Sequence, residues 1–163
     1  MAERWTNTAL LVIDMQNDFI EEDSVMQVKG GKSIVANVVR EHDPQGRDVE
    51  IFRRHHYNSE KVGPTVKDTV GSELVDGLVI KEEEDYKIVK TRFSAFFGTN
   101  LHSFLQTSGV SKLVIAGVQT PNCIRQTVFD VVELDYPNVT VITDATAAAT
   151  PEIHTGRNQA RKV

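Results

Sequence analysis

Residues 113–142 read LVIAGVQTPNCIRQTVFDVVELDYPNVTVI, and this stretch decides the fold. Leu113-Val114-Ile115-Ala116 is apolar at every position, as a strand is when both its faces are covered. The run stops at Gly117. From Pro121 to Glu133, Ile124, Thr127-Val128 and Val131-Val132 recur every three to four residues, the period of a helix face. Thr120 stands where a cap belongs, and Pro121 opens the first turn, where a missing N–H costs nothing. Val139-Thr140-Val141-Ile142 then resumes the apolar pattern and gives way at Asp144. Strand, helix and strand in that order make a right-handed parallel crossover.

Working outward, Ala9-Leu10-Leu11-Val12-Ile13 is a second run of the same kind, closed by Asp14. Ile88-Val89 is a short strand candidate. A helix is expected from about Thr99 to Ser108, with Leu101, Phe104 and Leu105 inward and Gly109 ending it. The fold class is α/β: a three-layer α/β/α domain over residues 1–163 with a mainly parallel sheet, whose ligands sit at the carboxyl ends of the strands. Two places fit badly. After Gly30-Gly31 only Ser33 to Val39 is available as regular structure, too little for both a crossover helix and a returning strand. The first crossover is therefore shortened, and poor order is expected around residues 20 to 60. Residues 155–163 are polar and basic and read as a loose tail.

Composition narrows the function. In 163 residues, 18 Lys and Arg face 23 Asp and Glu, a net charge of -5 with no long basic run. That argues against a nucleic-acid partner. No apolar stretch reaches the roughly 18 residues that span a bilayer, so no membrane partner is expected. Met1 to Trp5 lacks the apolar core of a secretory signal, and a cytoplasmic protein is the plain expectation. Cys123 is the single cysteine, which excludes an internal disulfide framework and cysteine-rich metal clusters.

Three polar residues lie at or just beyond the ends of the apolar runs: Asp14, Lys90 and Cys123. A parallel sheet brings such ends to one rim. A thiol at a helix N-terminus feels the positive end of the helix dipole, and a nearby ammonium favours thiolate further. A carboxylate beside them can take the thiol proton and later return it to a leaving group. Each residue also has an ordinary reading: a small buried hydrophobe, a turn cap and a solvated lysine.

The segments Leu11 to Phe19 (LVIDMQNDF), Val89 to Phe96 (VKTRFSAF) and Ala116 to Cys123 (AGVQTPNC) resemble the three signature blocks of the isochorismatase-like cysteine hydrolases. Gly71 to Leu74, Thr99 to Leu101 and Asp144 to Ala147 extend the likeness over roughly residues 7 to 154. The resemblance implies Cys123 as nucleophile, Asp14 as general acid/base and Lys90 as the group that lowers the thiol pKa. It also implies a cis peptide between Val118 and Gln119, aiming the N–H groups of Gln119 and Cys123 at an oxyanion. The expected substrate is a small amide or ureido compound, split at its C–N bond through a Cys123 thioester. No cofactor is implied. Phe19 and Phe93 are expected to line the pocket, and Arg92 to meet an anionic substrate. Residues 55 to 70 are expected to select the substrate. Family members are usually dimers or tetramers, so a homo-oligomer is expected.

One departure bears on metals. Nicotinamidases of this superfamily hold a divalent metal through an Asp-x-His pair after the second strand. The comparable stretch here reads Arg40-Glu41-His42, with His55-His56 further on. The pair is missing, and the chain is expected to use no metal. A metal-dependent nicotinamidase and a non-catalytic binding protein on the same fold are the alternatives.

Overall fold

A computed structural model describes residues 7–20, 38–58, 61–78, 80 and 85–156. Five parallel strands form its sheet: β1 (Thr8–Ile13), β2 (Val38–Arg40), β3 (Ile88–Lys90), β4 (Lys112–Val118) and β5 (Asn138–Ala147), in the order β3-β2-β1-β4-β5. The helices are α1 (Asn17–Ile20), α2 (Leu101–Thr107), α3 (Arg125–Glu133) and α4 (Pro151–His154).

Residues of β1 and β4 pack on both faces of the sheet, and their side chains sort by the period of two. On one face Leu11, Ile13, Leu113 and Ile115 pack with Leu101 and Leu105 of α2 and with Ile124 and Val131. On the other, Val12, Ala116 and Val118 pack with Met15, Phe19, Ile20 and Val75. That is why the runs in β1 and β4 lack a polar face. β1 and β4 pair in register from Thr8–Lys112 to Ile13–Gly117. At the last pair the backbones come so close that a Cβ on Gly117 would lie 2.2 Å from the Ile13 carbonyl oxygen. Gly117 also has φ +109°, so two constraints call for glycine there.

The expectation of poor order across residues 20 to 60 does not hold for 38–58. Val38 to Arg40 form β2 between β1 and β3, with Val38 paired to both Ile13 and Ile88. Gln16 fastens this strand: its Nε2 donates to Arg40 O at 2.7 Å, and its Oε1 accepts from Arg40 N at 2.7 Å. A side chain thus supplies bonds that a three-residue strand cannot take from its neighbours. Residues 21–37 of the first crossover, expected to be shortened, the Gly30-Gly31 pair among them, and the tail beyond Gly156 lie outside the described residues.

The helix read from Pro121 to Glu133 is present with a different start. Residues Thr120–Ile124 form a π-helical turn that leads into α3. Thr120 is not its cap. The Thr120 hydroxyl donates to Ala147 O at 3.0 Å and lies 2.8 Å from His154 Nδ1, joining the turn to β5 and α4.

Candidate functional site

The carboxyl ends of β1, β2, β3 and β4 converge on one cavity of about 180 Å³. Asp14, immediately after β1, takes a left-handed backbone with φ 59°, rare for a residue other than glycine, as the chain turns off the sheet. Lys90 closes β3, and Cys123 sits in the π-helical turn after β4. All three are buried, at 1%, 1% and 4% exposure. Lys90 Nζ donates to Asp14 Oδ2 at 2.9 Å, to Arg92 O at 3.0 Å and to Cys123 Sγ at 3.6 Å. An ammonium has three protons, so Lys90 is fully used and fixed in place. Asp14 Oδ1 has no donor from a nitrogen or oxygen of the protein. The structure therefore brings together the three residues singled out from the sequence.

The expected low pKa of Cys123 is corrected. Burial, then the Asp14 carboxylate, push the thiol up to about 11, while Lys90 and Arg40 pull against this and lose. The helix end and the ammonium favour thiolate, but the sulfur is shut from water almost completely, and that is set by the tertiary fold rather than by neighbours in sequence. At neutral pH the group is a thiol beside a carboxylate acceptor.

The peptide bond between Val118 and Gln119 is cis. Val118 is fully buried. Gln119 and Asn122 line the cavity with Cys123, and Asn122 donates to the Gln119 side chain at 3.2 Å. Phe19 and Phe93 line it as expected. Arg92 does not. The strand ends at Lys90, and the chain turns so that Arg92 offers its carbonyl to Lys90 while its side chain enters a neighbouring hollow with Phe97, Gln126 and Asp130.

Two other arginines stand where the sequence placed none. Arg40 and Arg53 both line the cavity, with guanidinium carbons 5.3 and 5.8 Å from the centre of the Phe93 ring. Glu50 serves both, at 2.6 Å from Arg40 Nη2 and 3.9 Å from Arg53 Nη1. Of the stretch 55–70, only His55 and His56 among the described residues line the cavity. Tyr57 and Val66 turn away to form a small core with Val49.

The residues present do not fit a divalent metal. Arg40 Nε donates to His42 Nε2 at 2.9 Å, consuming the lone pair a metal would need. His42 is held neutral by burial and by Arg40, its pKa lowered to about 3, so its other nitrogen carries the proton, 3.3 Å from Asp48. His55 Nδ1 is engaged with Phe52 O at 2.8 Å. Among the described residues no three His, Cys, Asp or Glu side chains gather.

With this geometry in hand, similarity to known proteins is informative. The isochorismatase domain family matches residues 8–160. A protein of Arabidopsis thaliana named a "probable inactive nicotinamidase" is 78% identical over 172 residues, covering 95% of this chain and 88% of that one. An alignment longer than the chain itself must open gaps in it. The crystal structure of an isochorismatase family protein from Desulfovibrio vulgaris superposes with a TM-score of 0.84 at 37% identity, covering 94% of this chain and 88% of that one. A pyrazinamidase of Pyrococcus horikoshii, solved in complex with zinc, gives 0.71 at 25% identity over 94% of this chain and 93% of that one. Among the described residues no helix is long and apolar enough to cross a membrane.

Proposed function

The chain belongs to the isochorismatase family, and from that premise we propose that it is a cysteine hydrolase that splits the C–N bond of a small amide or ureido substrate without a metal. One observation carries the reading: Lys90 Nζ touches both Asp14 Oδ2 at 2.9 Å and Cys123 Sγ at 3.6 Å on the wall of a cavity. Because the resting sulfur is a thiol, attack on the carbonyl carbon and transfer of the proton to Asp14 go together. Lys90 stays protonated and holds the carboxylate in place. The backbone N–H groups of Gln119 and Cys123 receive the oxyanion of the tetrahedral intermediate. Asp14 then returns the proton to the leaving nitrogen, the C–N bond breaks, and ammonia or an amine departs. Water, deprotonated by Asp14, cleaves the thioester and regenerates the thiol.

Ammonia release from a panel of small amides and ureido acids tests this. Cys123→Ala should abolish it, and Asp14→Asn should lower it by about 10²–10⁴-fold, the usual worth of a general acid/base. A chelator should leave the rate unchanged; a loss would contradict the metal-free reading.

A second reading is a binding protein on the same fold that turns nothing over. The name of the Arabidopsis relative favours it. That name speaks of nicotinamidase activity alone, however, and Asp14, Lys90 and Cys123 are all present in this chain. The binding-protein reading expects no ammonia from any amide in the panel.

A further inference from the structure

Arg40 is a buried charge that the steps above do not use. It is 1% exposed and ends the three-residue strand β2. Its backbone is pinned by Gln16, which accepts from Arg40 N and donates to Arg40 O, each at 2.7 Å. Its guanidinium is pinned as well. Nε donates to His42 Nε2 at 2.9 Å, and Nη2 donates to Glu50 Oε1 at 2.6 Å and to Thr91 O at 3.3 Å. A guanidinium is a rigid planar fork, so it cannot turn without breaking one of these bonds. The remaining nitrogen, Nη1, is thereby aimed at the Cys123 sulfur, 4.0 Å away.

A fixed cation at that place has a chemical use. Negative charge gathers on sulfur twice in the reaction. It does so as the thiol proton passes to Asp14 during attack. It does so again as the C–S bond of the thioester breaks and its electron pair returns to sulfur, before Asp14 gives the proton back. Lys90 faces the sulfur at 3.6 Å, but its ammonium is also bound to Asp14 at 2.9 Å, so its charge is shared with the proton acceptor. Arg40 comes from a different strand and donates to the sulfur while donating to no atom of Asp14. It also keeps its proton at any pH the reaction uses, which an ammonium beside a carboxylate need not.

His42 sets the aim. Its Nε2 accepts from Arg40 Nε, which requires that nitrogen to be free of a proton, and its Nδ1 lies 3.3 Å from Asp48 Oδ1. The ring is 2% exposed and meets Tyr57 edge to face at 5.7 Å, so it is held in place by packing. We infer that Arg40 is a fourth catalytic residue, a second cation on the Cys123 sulfur, and that His42 is the positioning residue that aims it. This rests on the hydrolase reading for the word catalytic, though not for the hold on the sulfur itself.

The charged groups that face the sulfur are Asp14 after β1, Arg40 on β2, Lys90 on β3 and Arg53 in the 3-10 turn Ile51–His56. Removing one cation changes their balance. Iodoacetamide alkylation of Cys123 in the full chain, followed by intact mass at a fixed pH, reads the thiolate fraction. Arg40→Gln should slow it about tenfold, the low end of what an opposite charge within about 4–6 Å supplies, and ammonia release should fall with it. Arg40→Lys, which keeps the charge, should lose less of both. His42→Leu, which takes away the acceptor for Nε, should also slow alkylation, and His42→Gln, which keeps an acceptor, should restore it. Alkylation of Arg40→Gln as fast as the unsubstituted chain, or faster, overturns the inference, and an unchanged rate in His42→Leu overturns its positioning role. Should Arg40→Gln fail to fold, nitrogen NMR of the Arg40 side chain in the unsubstituted chain and in Cys123→Ala decides instead. The Nη1 signal should move when the sulfur is taken away while Nε, held by His42, stays, and an unmoved Nη1 overturns the inference. Slowed alkylation of Arg40→Gln, with no ammonia released by the unsubstituted chain from any amide, would sink the hydrolase reading and leave the hold on the sulfur standing.

Discussion

Cys123 sits 4% exposed between the Asp14 carboxylate and the two cations Lys90 and Arg40, and the balance of these charges is measurable. With its pKa raised to about 11, the alkylation rate should climb with pH well past the free thiol value of roughly 8.5. Asp14→Asn removes the anion that opposes thiolate, so it should move the alkylation midpoint down while turnover falls. A rise in both would contradict the assignment of Asp14 as the proton acceptor. His42 makes a separate prediction. Its folded pKa of about 3 lies below the ordinary 6.5, so between those values the unfolded chain binds the extra proton. Stability is therefore full above pH 6.5 and is lost as pH falls toward 3, at up to about 1.4 kcal/mol per pH unit. His42→Gln, whose amide oxygen can still accept from Arg40, should flatten that acid limb in urea titrations. At this scale the sequence was legible where chemistry alone marks a residue, as at Cys123, and misleading where direction decides. Arg92 follows Lys90 by two positions and yet its side chain leaves the cavity, whereas Arg40 and Arg53 enter it.

Among the elements, β1 and β4 were readable because their apolar runs are unbroken and residues of each pack on both faces of the sheet, although Leu10 is 54% exposed. β2 was not, because three residues are too few to carry a period and a buried arginine ends the strand. The 3-10 turn at Ile51–His56 inverts the usual rule. Ile51 and Phe52 are 81% and 66% exposed, Phe52 beside the cavity, while Arg53 between them and the histidines is buried. Hydropathy points the wrong way there because the Phe93 ring, remote in sequence, and Glu50, three residues earlier, supply the arginine's environment. Gly117 carries the element-scale prediction. Gly117→Ala drives a Cβ into the Ile13 backbone and demands a φ of +109°, so it should cost at least about 2 kcal/mol. For a chain of this size that lowers the melting midpoint by about 4–8 °C. Turnover should fall with it, since Gly117 leads directly into Val118 and Gln119. An unchanged melting point would show that β1 and β4 are less tightly paired than the register implies.

For the molecule as a whole, the parallel sheet with its site at the carboxyl rim follows from the crossover at residues 113–142, and the isochorismatase family match over residues 8–160 agrees. We propose that the chain self-associates. Phe129 and Val132 on α3 and Ile142 on β5 are 56%, 59% and 41% exposed, apolar surface of the kind a second copy covers. Sedimentation at micromolar concentration should show a dimer or tetramer, and a clean monomer would contradict this. The central claim is that the chain's chemistry passes through Cys123, with a neutral thiol attacking as Asp14 takes its proton. Rapid acid quench of the protein with the small amides and ureido acids, read by intact mass and then by peptide mapping, tests it most directly. The account predicts a mass gain equal to the substrate less its amine, confined to the peptide that holds Cys123 and absent from Cys123→Ala. Ammonia released with no such adduct and undiminished in Cys123→Ala, or no adduct and no ammonia from any compound in the panel, would contradict it.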